Sequence, residues 1–262
     1  MGLLDDILAQ KRQELDAVRQ LIGPFAPRDA LHVLRREAND PLRLAAEIKF
    51  KSPSAGELST VLSIEERALA YAECGTSLVS VLCDERFFGG SYAHVSQVRS
   101  ALERAGHHTR ILAKEFVIDE AQVRAAATMG ADAVLLIVRI LEPAMLASLT
   151  AYGIALGIEP LVEVATEPEL ALAISSGARL IGVNARNLDT LRVDAQRAKH
   201  VLEQIPAGIV AMHLSGLRSP FDVQQIAKGR TDAALVGEAL MRITDPRPLL
   251  NAMLAAAASE RR

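Results

Sequence analysis

The chain contains no tryptophan, and Phe, Tyr and Trp together make up only 3% of its residues. Proteins that grip single-stranded nucleic acid stack bases on aromatic faces, and so small a supply argues against that class. A basic excess is also missing: 29 Lys and Arg stand against 32 Asp and Glu, a formal net charge of −3. No global positive field draws the chain to a phosphate backbone, and no nucleic-acid partner is expected. Cysteine is limited to Cys74 and Cys83, without CxxC spacing or a His-rich neighbourhood. This excludes a disulfide framework and reads as two buried free thiols suited to a reducing cytosol. No apolar run reaches the roughly 20 residues that span a bilayer. The first residues, MGLLDDILAQKRQEL, carry acids where a secretory leader carries bases, and their apolar residues recur at helical spacing. MGLLDD also lacks the Ser or Thr of a myristoylation signal. The expectation is a cytoplasmic protein with no membrane partner.

What is present is an ordinary globular composition: 262 residues, 50% apolar and 23% charged. Eight short apolar runs read as strands: LAAEIK (44–49), SLVSVL (77–82), TRILAKEF (109–116), DAVLLIV (132–138), PLVEV (160–164), RLIGVN (179–184), GIVAMHL (208–214) and AALVG (233–237). Helical stretches such as SIEERALAYAECG, SYAHVSQVRSALERAG, DEAQVRAAATMG and TEPELALAISSG lie between them, several ending in the glycine that stops a helix. Strands that alternate with helices form parallel βα units, and eight units predict a (β/α)₈ TIM barrel. The strands are apolar almost throughout, as when both sheet faces are covered. An open doubly wound sheet would use fewer strands. No composition break divides the chain. A single α/β domain is expected, residues 1–43 forming a helical N-terminal extension and 44–262 the barrel.

Active sites of this architecture lie at the C-terminal ends of the strands. Polar residues recur at those ends. Glu47 and Lys49 close strand one, where period-two alternation points both to one face. Lys114 interrupts strand three, Glu163 sits within LVEV of strand five, and Asn184, followed by Arg186, ends strand six. Charge is costly to bury without a partner, so two lysines and two glutamates at one barrel mouth would serve each other and a ligand. LSGLRS and LVGEAL follow strands seven and eight, the usual barrel position for a phosphate. There Ser215, Gly216, Gly237 and the Glu238 backbone are candidates to hold one, with Ser215 adding a hydroxyl donor. Glu238 is unfavourable beside a phosphate unless its side chain points away. Met145, Met212 and Met241 read as core fillers, and no metal role is expected at His107–His108.

These residues carry a resemblance. AEIKFKSPSAG, DERFFGGSYAHVSQVR, ILAKEFVID, LLIVRIL, LVEVATEPEL, LIGVNARNLDTLRVD and LVGEALMR resemble the indole-3-glycerol phosphate synthase family, in that family's order, over about residues 45–245. The resemblance implies a (β/α)₈ barrel without metal or organic cofactor. It also implies a small phosphorylated arylamino-sugar substrate, 1-(2-carboxyphenylamino)-1-deoxyribulose 5-phosphate. This is closed to indole-3-glycerol phosphate with loss of carbon dioxide and water, a carboxy-lyase step of tryptophan biosynthesis. Matched to the family's motifs, Lys114 would be the general acid of ring closure. Glu163 would be a base or electrostatic partner in the dehydration. Lys49 would contact phosphate and hydroxyls, with Glu47 orienting it and helping proton transfer. Asn184, Arg186 and Ser215 would hold polar groups of the substrate, and Phe88 and Phe116 would line an aryl slot. Ser52, Pro53 and Ser54 would form a loop that folds over the substrate. A buried lysine beside other cations is expected to have a lowered pKa. A monomer or weak homodimer is expected.

The pattern departs from the family at two places. Leu214 stands where the family usually has glutamate before Ser-Gly, and Glu115 where it usually has aspartate beside the catalytic lysine. Leu214 keeps open a diverged member that acts on a related arylamine ribose or ribulose phosphate, by Amadori-type or ribosylation chemistry. A noncatalytic phosphosugar-binding protein is the third alternative.

Overall fold

In the computed structural model, residues 2–26, 28–52, 56–58, 61–186 and 192–260 are described. Eight parallel strands close into a barrel: β1 (Arg43–Ile48), β2 (Leu78–Leu82), β3 (Arg110–Lys114), β4 (Ala133–Ile137), β5 (Glu159–Val164), β6 (Leu180–Asn184), β7 (Val210–Leu214) and β8 (Ala233–Val236). All eight runs read from the sequence are strands, with ends shifted by a residue or two. Closure is made by β1 against β8, in the register Arg43↔Ala233 to Ala46↔Val236.

Alternation along each strand sorts the core into two layers. Ala45, Leu78, Leu112, Leu161, Leu180, Met212 and Leu235 point inward and fill the barrel. Leu44, Ala46, Val79, Ile111, Val134, Val162, Ile181 and Val236 point outward to the helices. Because both faces are covered, the strands read as continuous apolar runs. Continuing the inward period puts Glu47, Lys49, Lys114, Glu163, Asn184 and Gly237 into the barrel mouth.

The helices obey their local signals. Helix α1 (Leu3–Arg19) precedes the barrel, and α2 (Leu31–Leu34) is the short helix between it and β1. Helix α3 (Ile64–Cys74) starts with a Ser63 capping box and ends at Gly75, whose φ of 95° a side chain would resist. The four-residue α4 (Glu85–Phe88) follows β2 and is capped by Asp84. Around the barrel run α5 (Tyr92–Arg104), α6 (Glu120–Thr128), α7 (Pro143–Leu156), α8 (Glu167–Ser175), α9 (Ala195–Glu203) and α10 (Pro220–Ala227). The four-residue α11 (Glu238–Met241) leaves β8, and α12 (Arg247–Ser259) closes the ring. Among the described residues, no helix is long and apolar enough to cross a membrane.

Two smaller expectations need correction. Met212 and Met241 are buried, but Met145 is exposed, because it lies on the outer face of α7. Cys83 is a buried thiol, whereas Cys74, at the end of α3, is only partly covered.

Candidate active site

The mouth opens into a cavity of about 1160 Å³, counting its open rim. One wall is charged and polar, the other apolar. Glu47 organises the charged side. Its Oε1 lies 2.5 Å from Lys49 Nζ and its Oε2 2.7 Å from Lys114 Nζ. Burial alone would raise the Glu47 pKa; the two lysines outweigh it and hold the group down at about 2. The carboxylate is therefore a fixed anion shared by two cations. Gly237 is where it is for a steric reason: a Cβ there would come within 2.6 Å of Glu47 Oε1.

Lys114 departs from the expected direction. Burial pulls its pKa down, but Glu47 and Glu163 outweigh burial and leave it raised. The cations that would have lowered it are outnumbered at close range by carboxylates. Across the mouth, burial raises the Glu163 pKa, against the pull of Lys114 and of a hydrogen bond from Asn184. That bond runs from Asn184 Nδ2 to Glu163 Oε1 at 2.9 Å. Asn184 Oδ1 in turn accepts from the Ser215 hydroxyl at 2.8 Å and from the Arg186 amide at 2.9 Å. One amide side chain thus links β5, β6 and the loop after β7.

Ser215 and Gly216 form a sharp turn, with φ of 69° and 88°. Left-handed backbone is uncommon for serine, and here its hydroxyl is anchored by Asn184. Glu238 does not face the cavity as a bare charge. Its carboxylate bonds Arg242, one turn on, at 2.8 Å and lies 3.6 Å from Arg186. Burial would raise its pKa; Arg242 and Arg186 outweigh that and lower it.

The apolar wall combines Leu3, Leu4 and Ile7 of α1 with Phe88 of α4 and Phe116 after β3. The two phenylalanine rings are 5.9 Å apart and tilted by 36°. Of the residues expected at the site, Glu47, Lys49, Lys114, Glu163, Asn184, Arg186, Ser215, Gly216, Gly237, Glu238, Phe88 and Phe116 all line this one cavity. The Ser52 backbone pairs with Gly56 in a two-residue antiparallel pairing of Lys51–Ser52 with Gly56–Glu57; its side chain, with Pro53 and Ser54, lies outside the described residues. Leu214 is buried in the barrel interior beneath the mouth rather than in the cavity wall. A Cβ on Gly182 would come within 2.5 Å of its Cδ1, so glycine on β6 makes room for leucine on β7.

The α1 contribution was missed by sequence reasoning, which read that helix as amphipathic and went no further. A signal existed. Ile7, Lys11 and Val18 are its buried residues, and Lys11 lies one turn beyond Ile7, so the buried stripe contains a charge that needs partners.

Comparison with known proteins identifies the family. A family model described as indole-3-glycerol phosphate synthase matches residues 4–253. An indole-3-glycerol phosphate synthase of Chloroherpeton thalassium is 39% identical over 252 residues, covering 92% of this chain and 95% of that protein. One of Beutenbergia cavernae is 40% identical, covering 98% of this chain and 97% of that protein. A multifunctional tryptophan biosynthesis protein of Schizosaccharomyces pombe is 40% identical over 83% of this chain, which corresponds to 29% of its own length. Among solved structures, the 3-hexulose-6-phosphate synthase of Salmonella typhimurium superposes with a TM-score of 0.65 at 15% identity, covering 84% of this chain and 100% of that one, a likeness of fold alone. With matches of this identity along nearly its whole length, the chain belongs to the indole-3-glycerol phosphate synthase family.

Proposed function

We propose that this protein is an indole-3-glycerol phosphate synthase, a carboxy-lyase of tryptophan biosynthesis. The observation that carries the reading is the shared carboxylate of Glu47, which holds Lys49 and Lys114 side by side opposite the Glu163–Asn184 pair. The substrate is 1-(2-carboxyphenylamino)-1-deoxyribulose 5-phosphate. Its ring carbon attacks the ribulose carbonyl carbon, and negative charge develops on the carbonyl oxygen. A cation that carries a proton is needed there. Lys114 fits that role because Glu47 and Glu163 raise its pKa and keep it protonated. Carbon dioxide then leaves the ring, restoring aromaticity at that carbon. The new hydroxyl leaves as water, its carbon–oxygen bond breaking as a proton is delivered to the oxygen, and the neighbouring CH2 beside nitrogen gives up a proton, its C–H electrons forming the indole double bond.

Glu163 serves the second half. Burial raises its pKa, which suits a carboxyl that takes and returns a proton. The role assigned to Glu47 is narrower than proton transfer. With a pKa of about 2 it stays ionised and positions both lysines. Lys49 and Arg186 meet the polar groups of the sugar and the carboxylate. Ser215, Gly216, Gly237 and the Glu238 backbone hold the phosphate, with Glu238's own charge drawn off by Arg242. Phe88 and Phe116 take the aryl ring. The reading includes a cytoplasmic location and a single-domain monomer or weak homodimer.

The test is direct. Purified protein is mixed with the substrate, and indole absorbance and carbon dioxide release are followed together. Equimolar appearance of both, lost in Lys114→Ala, is the expected result. Binding without turnover would overturn the reading. A Leu214→Glu variant addresses the diverged alternative: a large gain of indole formation would indicate a different native substrate.

A further inference from the structure

A second charge cluster lies behind the apolar wall, and the chemistry above does not use it. Lys11 of α1 is only 1% exposed. Its Nζ lies 2.7 Å from Asp84 Oδ2, 3.1 Å from Glu115 Oε1 and 2.9 Å from Glu14 Oε2. Asp84 and Glu115 are buried as well. Each carboxylate also holds a piece of the wall. Asp84 Oδ1 accepts from the Phe87 amide at 2.7 Å and so caps α4, which carries Phe88. Glu115 Oε1 accepts from the Phe116 amide at 2.7 Å. Lys11 itself sits one helical turn from Ile7, which lines the cavity. One ammonium thus joins the three segments that carry the apolar wall.

We propose that Lys11 is a positioning residue for the aryl end of the substrate, setting the width of the slot between α1 and the Phe88–Phe116 pair. The inference rests on the functional reading above. The geometry makes the effect one-sided. The side-chain bonds of Lys11, Asp84 and Glu115 tie together α1, α4 and the residues after β3. The phosphate end is built from the ends of β7 and β8. A loosened cluster should therefore weaken aryl binding and spare phosphate binding. A cluster that merely stabilises the fold would weaken both or neither.

The experiment compares wild type with Lys11→Met at a temperature well below the unfolding midpoint of each. Lys11→Met leaves two buried carboxylates uncompensated, so a second variant, Lys11→Met/Asp84→Asn/Glu115→Gln, removes the charges together and keeps the shapes. Steady-state kinetics give KM and kcat, and inorganic phosphate serves as a competitive probe of the phosphate end alone. The expected result, in both variants, is a rise in KM of about tenfold or more, with the phosphate inhibition constant within about twofold of wild type. An unchanged KM in the triple variant would overturn the proposal, as would equal weakening of substrate and phosphate. A wild-type protein without turnover would overturn the functional reading, and this inference with it; a failure confined to the variants overturns this inference only.

Discussion

Glu47 and Glu115 are both fully enclosed, both hydrogen-bonded, and both within reach of a lysine. Their pKa values nonetheless part by several units, about 2 for Glu47 and about 7 for Glu115. Burial raises both. The difference is the ratio of charges. At the barrel mouth, one carboxylate is shared by two ammonium groups, Lys49 and Lys114. Behind the wall, one ammonium is shared by Asp84, Glu115 and Glu14. Partner count sets the direction of the shift, not the presence of a partner. The functional meaning follows the same line. A mouth in which cations outnumber the carboxylate they share suits an anionic substrate, and behind the wall the carboxylates gather their segments around one shared ammonium.

The mouth is most sensitive at Lys114. Lys114→Ala should lower kcat by about 10³-fold, the range for loss of a general acid. Circular dichroism and phosphate inhibition should show the fold and the phosphate end intact. Next, Glu47→Gln removes the shared anion and leaves two cations side by side. We expect kcat to fall on the order of 10²-fold and stability by about 3 kcal/mol, the usual cost of breaking a buried pair. Denaturant titration checks the second figure, and equal stability of variant and wild type would refute the account of Glu47 as holder of both lysines.

The pH dependence sharpens the contrast, because the two carboxylates act in opposite directions. The Glu47 pKa is depressed from 4.5 to about 2, so its stabilisation is present above 4.5 and is lost as pH falls toward 2. The Glu115 pKa is raised from 4.5 to about 7, so the folded state holds a proton there that the unfolded chain releases. Stability from that group falls as pH rises from 4.5 through 7. Lys11, Asp84, Cys83 and Tyr92 are the titratable groups that face it. Stability measured between pH 5 and 8 should therefore slope downward in wild type and flatten in Glu115→Gln, by about 2–3 kcal/mol over the window. The smallest expected effect is that of Ser215→Ala, which removes a neutral hydroxyl that donates to Asn184 at 2.8 Å. A KM increase of about fivefold with kcat nearly unchanged would show that charge, more than neutral hydrogen bonding, distinguishes the mouth.

Much of this was legible in the sequence because it followed short-period rules. Short apolar runs gave all eight strands, period-two alternation put Glu47 and Lys49 on one face, and strand-end positions named the mouth. The wall cluster obeyed no such rule. Lys11, Asp84 and Glu115 lie far apart in the chain, and only Glu115 stands out in the sequence, as a departure from the family pattern beside Lys114. Their meeting depends on where α1 docks, which local pattern does not specify. The direction of the Lys114 shift was misread for a related reason. Neighbouring cations were counted, but the carboxylate that β1 delivers to the lysine was not given its weight.

The closure of β1 on β8 has a consequence for the time at which the site comes into being. Glu47 packs against Gly237, and the strands that bring them together come from near the two ends of the chain. During synthesis, Lys49, Lys114, Glu163 and Asn184 leave the ribosome long before Ala233 does. Until then β1 has an open edge, and Glu47 lacks the neighbour that confines it. The nascent polypeptide thus carries nearly every charged group of the mouth without the ring that arranges them, and its β1 edge stays unpaired until the last strand is made.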